Sequence, residues 1–110
     1  MAIKTIDVHS LAQLLEIDEA CIIDVREPFE YQEGHIKGVL NIPLANILTE
    51  LSSVAIADDK ILVLLCRRGI RSMNACNMLL NDGIARDVYN LTGGIISWQD
   101  AGYCLNPIID

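Results

Sequence analysis

The stretch ILVLLCRRGIRSMNAC, Ile61 to Cys76, decides how this chain is read. Ile61 to Leu65 is an uninterrupted apolar run, too short for most helices and too hydrophobic for a sheet edge. It reads as a strand covered on both faces and central in its sheet. Behind it, Cys66-Arg67-Arg68-Gly69-Ile70-Arg71-Ser72 turns from strand into a helix that carries Met73, Cys76, Leu79 and Leu80 on one face and stops at Gly83. The Cys66 sulfur therefore falls at a strand-to-helix turn, beneath a helix N-terminus.

Working outward, strands and helices alternate. Ile3 to Thr5 predicts a short first strand, and Ser10 the N-cap of a helix with Leu11, Leu14 and Leu15 on one face. Cys21 to Val25 reads as a buried strand, Pro28 to Gly34 as a helical turn, and Val39 to Ile42 as a strand ended by Pro43. Leu44, Ile47, Leu48 and Leu51 have the spacing of one amphipathic helix face, with Asp58 and Asp59 closing the segment. Beyond the central helix, Val88 to Leu91 is the last strand, and Gly93-Gly94 opens a final helix through Trp98. Such alternation predicts a parallel sheet with helices on both sides, whose ligands bind beyond the carboxyl ends of the strands.

Composition narrows the function. With 110 residues the chain fits one compact domain, 1–110, with no linker or internal repeat, and its 52% hydrophobic content supports a core without metal or disulfide staples. Eight basic against fifteen acidic residues give a net charge of −7, which disfavours nucleic acid and anionic membranes as partners. No apolar run approaches a membrane span, and MAIKTIDVHS lacks the apolar stretch of a secretory signal, so a cytoplasmic location is expected. Cys21, Cys66, Cys76 and Cys104 show neither Cys-x-x-Cys pairing nor a His at metal-ligand spacing, so no zinc site or redox dithiol is expected.

Against this acidic background, Arg67, Arg68 and Arg71 place three of the eight basic residues within five positions. Successive N–H groups in such a turn form an anion-binding nest, and the helix dipole adds roughly half a positive charge. An ordinary thiol titrates near ~8.5, and helix N-termini with neighbouring cations bring it down to between roughly 3.5 and 7.5. Cys66 is thus the candidate nucleophile, and the arginines are placed to hold an anionic substrate against an anionic thiolate. Cys76 lies on an apolar helix face and Cys21 in a core strand, and both are assigned to packing; Cys104, in a polar stretch, has no activating cation nearby.

The chain also resembles a family. CRRGIRS is similar to the active-site loop of rhodanese-type sulfurtransferases, DVREPFEYQEGHIKGVLNIP (Asp24 to Pro43) to their first signature, and LTGGIISWQDAGY (Leu91 to Tyr103) to their last. The resemblance implies a three-layer α/β/α fold with a five-stranded, mainly parallel sheet. It also implies a catalytic cysteine, Cys66, that takes sulfane sulfur from a donor as a persulfide and yields it to a nucleophilic acceptor. Arg67, Arg68, Gly69, Ile70, Arg71 and Ser72 are then the substrate-binding loop, with Arg67 and Arg71 the first choices for holding the donor. The implied partners are a small anionic sulfur donor and a thiol or dithiol acceptor, small or borne on a protein, and no cofactor is called for.

Four residues separate Cys66 from Arg71, like the sulfurtransferases and unlike the longer Cys-x5-Arg loop of related phosphatases, which argues against a phosphatase or arsenate reductase. Arg67 after the cysteine resembles thiosulfate-type members. A sulfur-carrier or regulatory module loaded by a partner protein needs the same loop and stays open. Val39, where Ala is common, and Cys104, where Pro is common, depart from the pattern; Cys104 raises the expectation of a second thiol that receives sulfur or crosslinks to Cys66. Asp24 and Arg26 read as a buried ion pair rather than catalytic groups, His35 as a hydrogen-bonded structural residue rather than a base, and Trp98 as a core anchor.

Overall fold

The structure is a computed structural model and describes residues 1–106. It comprises β1 (Ile3–Ile6), α1 (Val8–Ile17), β2 (Ala20–Asp24), α2 (Pro28–Glu33), β3 (Leu40–Asn41), a 3-10 turn (Leu44–Asn46), α3 (Ile47–Leu51), β4 (Ile61–Leu65), α4 (Ile70–Asn81), β5 (Val88–Leu91) and α5 (Gly94–Asp100). The five strands form one parallel sheet in the order β1-β5-β4-β2-β3, so Ile61–Leu65 is central as its apolar run predicts.

Alternation along the central strand builds two cores. Leu62 and Leu64 face a layer containing Ile47 and Leu51 of α3 and Ala75, Cys76 and Leu79 of α4. Val63 and Leu65 face the opposite layer, with Leu11 of α1 and Ile95 and Trp98 of α5. Helices thus cover both faces, giving the α/β/α layering expected, and Trp98 is buried as an anchor. Among the described residues no helix is long and apolar enough to cross a membrane.

Two local expectations are corrected. The first helix begins at Val8 and its cap is Asp7, not Ser10: the Ser10 N–H donates to Asp7 Oδ1 at 2.8 Å, so Ser10 is the residue being capped. The segment from Leu44 to Leu51 is not one helix but a 3-10 turn followed by a short α-helix, and the change of pitch leaves Leu48 exposed while Ile47 and Leu51 are buried.

Candidate active site

Cys66 follows the last residue of β4, and α4 begins at Ile70, so the loop between them is four residues long. Its Sγ accepts hydrogen bonds from the Gly69 N–H at 3.1 Å and the Ser72 N–H at 3.4 Å, and the Ser72 hydroxyl, whose one proton it shares with Asn90, also lies at 3.4 Å. Gly69 reaches this position at φ 99°, in the left-handed region open to glycine. Met73 N–H closes the first helical bond on the Gly69 carbonyl, while among the described residues the N–H groups of Ile70 and Arg71 have no partner.

The Cys66 side chain is buried at the foot of a cavity of about 160 Å³ lined by Arg67, Arg68, Ile70 and Arg71. Burial pushes its thiol up, but the hydrogen bonds from the Ser72 hydroxyl and from the Ser72, Gly69 and Arg68 N–H groups outweigh that and leave it below an ordinary thiol. Thiolate stabilisation is thus carried by the nest of hydrogen-bond donors more than by guanidinium charge. Burial has the opposite outcome at Cys76, pushed up to about 11, and at Cys21, also raised, as expected of packing cysteines.

The arginines part company. Besides the cavity over Cys66, Arg67 lines a second one with Arg26, Glu30, Glu33 and Gln99, and Arg68 lines another with Thr5, Asn90 and Thr92. The terminal nitrogens of Arg71, a residue expected to hold the donor, are already engaged: Nη1 and Nη2 donate to the two carboxylate oxygens of Glu30 at 2.6 and 3.0 Å. That pairing draws the Glu30 carboxyl down to about 2.

Two residues of the site escape the sequence reading. Glu30 leaves one trace, its place three residues after Glu27 at the start of a Pro-initiated helix, the spacing of a capping box. Asn90 shows itself as the polar residue in the strand VYNL: it is buried, its Nδ2 donates to the Gly69 carbonyl at 3.1 Å, and its Oδ1 accepts the Ser72 hydroxyl at 2.5 Å. Asn90 therefore ties both ends of the sulfur-binding turn to β5.

The other motif residues serve the scaffold. Arg26 Nε and Nη2 donate to the Asp24 carboxylate at 2.8 to 3.0 Å, and Nη2 also to the Gly34 carbonyl, with both side chains buried. His35 Nδ1 lies 2.8 Å from the Tyr31 carbonyl and its ring stacks on Tyr31, a structural placement. Cys104 is exposed and lines a cavity with Asp18 and Ala20, toward the strand end where Ala20 pairs with Ile61. Cys66 follows the other end of β4, and five strand residues at ~3.3 Å each exceed the roughly 7 Å limit for a disulfide. The Cys104–Cys66 crosslink expectation is therefore withdrawn.

A cysteine at the carboxyl end of the central parallel strand, its sulfur ringed by donors at the start of a helix, defines an α/β domain built around an activated thiol. Comparison with known proteins makes the class specific. Residues 7–101 match the family model of the rhodanese-like domain. A sulfurtransferase of Allochromatium vinosum is 38% identical over 91% of this chain and 92% of its own, and the thiosulfate sulfurtransferase GlpE of Pseudoalteromonas translucida is 33% identical over 92% and 93%. Among solved structures, a rhodanese-related protein of Thermoplasma volcanium superposes with a TM-score of 0.77 at 31% identity, covering 93% of this chain and 96% of that one. A thiosulfate sulfurtransferase of Pseudomonas aeruginosa gives 0.86 at 30% identity, covering 94% of this chain and 20% of that one. The chain belongs to the rhodanese-like domain family, and its similar relatives include named sulfurtransferases.

Proposed function

We propose that this protein is a sulfurtransferase in which Cys66 takes a sulfane sulfur from thiosulfate, or a donor like it, and passes it to a thiophilic acceptor. The observation that carries the reading is the ring of donors on Cys66 Sγ, at the foot of an arginine-lined cavity with room for one added sulfur and a small oxyanion. The thiolate attacks the outer sulfur of the donor, the new S–S bond forms as the old one breaks, and sulfite leaves with the bonding pair. The persulfide then sits where the N–H groups of Ile70 and Arg71 face the nest, and an acceptor thiol removes its outer sulfur. Its four free cysteines suit the cytoplasm, where thiols stay reduced.

Intact mass after incubation with thiosulfate tests this. The reduced protein is expected to gain one sulfur atom, to lose it to cyanide, and to gain none as Cys66→Ser. A folded protein with an alkylatable Cys66 and no mass gain would overturn the reading. A second reading, a sulfur carrier loaded by a partner protein, is favoured by the engagement of Arg71 with Glu30 and by Ile70, 71% exposed beside the loop. Saturating turnover with thiosulfate favours the enzyme; persulfide loading without turnover favours the carrier.

A further inference from the structure

Among the described residues, Arg71 is the only arginine of the loop in an ion pair. The pair uses both of its terminal nitrogens and both oxygens of Glu30, and it is partly shielded, with Glu30 19% and Arg71 35% exposed. Glu30 is itself anchored, because its Oε1 also accepts the Glu27 N–H at 3.1 Å in the first turn of α2. With its carboxyl drawn down to about 2, Glu30 is ionised at any pH where Cys66 would act. The field above the thiolate is therefore that of three arginines less one fixed carboxylate.

A fixed negative charge opposes an approaching anion in proportion to the anion's charge. We propose that Glu30 is a specificity-determining residue that lowers the preference of the Cys66 site for dianionic sulfur donors relative to monoanionic ones, an inference that rests on the persulfide reading above. Both donor types pass the same sulfur. With thiosulfate the thiolate displaces sulfite; with an alkanethiosulfonate anion it displaces an alkanesulfinate. In each case one S–S bond forms, one breaks, and the total charge is conserved.

Glu30→Gln tests the assignment, since Gln keeps one oxygen as an acceptor for the Glu27 N–H while it removes the charge and one of the two oxygens that hold Arg71. At low ionic strength kcat/KM should rise about twofold for methanethiosulfonate and about fourfold for thiosulfate, the exponent doubling with donor charge, and both gains should shrink in ~0.5 M salt. Equal gains for the two donors, or none for thiosulfate, would overturn the proposal.

A second readout needs no sulfur transfer. In a Cys104→Ser background, the ratio of Cys66 alkylation rates by anionic iodoacetate and neutral iodoacetamide cancels any change in thiolate fraction. Glu30→Gln should raise that ratio about twofold and Arg71→Gln should lower it by a similar factor. An unchanged ratio in both variants overturns the role of Glu30. A raised ratio in a protein that never gains sulfur from thiosulfate would uphold the charge assignment while the persulfide reading fails.

Discussion

Gly94 seats its α-carbon directly on the backbone of Cys66 and Arg67. A β-carbon there would lie 2.6 Å from the Arg67 carbonyl oxygen and closer still to that of Cys66, and the next two N–H groups, of Ile95 and Ile96, donate to these same carbonyls at 2.9 and 3.0 Å. The start of α5 is thus bolted to the start of the sulfur-binding loop. Gly94→Ala must both occupy φ 58° and push the loop away, and is expected to destabilise the fold by about 3 kcal/mol. Urea unfolding measures the cost, and slower Cys66 alkylation in the folded protein would report the displaced loop.

Ser72 turns both its N–H and its hydroxyl toward Cys66 Sγ, the hydroxyl proton shared with Asn90 Oδ1, and only the hydroxyl can be removed by mutation. Because these bonds lower the thiol's titration point, the thiolate fraction grows as pH rises through a midpoint below that of an ordinary thiol. Ser72→Ala should move the midpoint of the alkylation rate upward by about one pH unit, the loss of a hydrogen bond to a charged group. A pH–rate profile with iodoacetamide checks it, and an unmoved midpoint would assign the lowering to the backbone N–H groups alone.

Asp24 and Arg26 are buried together, so removing one partner strands the other's charge. Arg26→Met is expected to cost about 3 to 5 kcal/mol, and Asp24→Asn with Arg26→Met to recover part of it. Denaturant unfolding of the single and double variants separates a scaffold pair from a surface one, for which the loss would be below about 1 kcal/mol.

The four thiols should divide by environment. Brief iodoacetamide treatment near neutral pH, read by peptide mass mapping, is expected to label Cys66 through its cavity and the exposed Cys104. Cys76, held at about 11 inside the core, and the half-buried, raised Cys21 should stay unmodified until the protein unfolds. Labelling of Cys76 in the folded state would contradict the packing described for α4.

Much of this molecule is written locally. The apolar run Ile61–Leu65 announces a central strand because only a strand covered on both faces tolerates it, and CRRGIRS announces the thiol loop because a turn into a helix concentrates N–H groups wherever it occurs. Period and residue type also place the other strands to within a residue or two. What the tertiary structure alone decided are pairings across distance: Arg71 with Glu30, 41 positions apart, Ser72 with Asn90, 18 apart, and Gly94 against Cys66. The sheet order brings them together, setting β2 and β5 on either side of β4, so that the segments leaving those strands converge on one sulfur atom. Arg71 therefore reads as an open cation in the sequence, since the carboxylate that offsets its charge is brought to it only by the crossover connections.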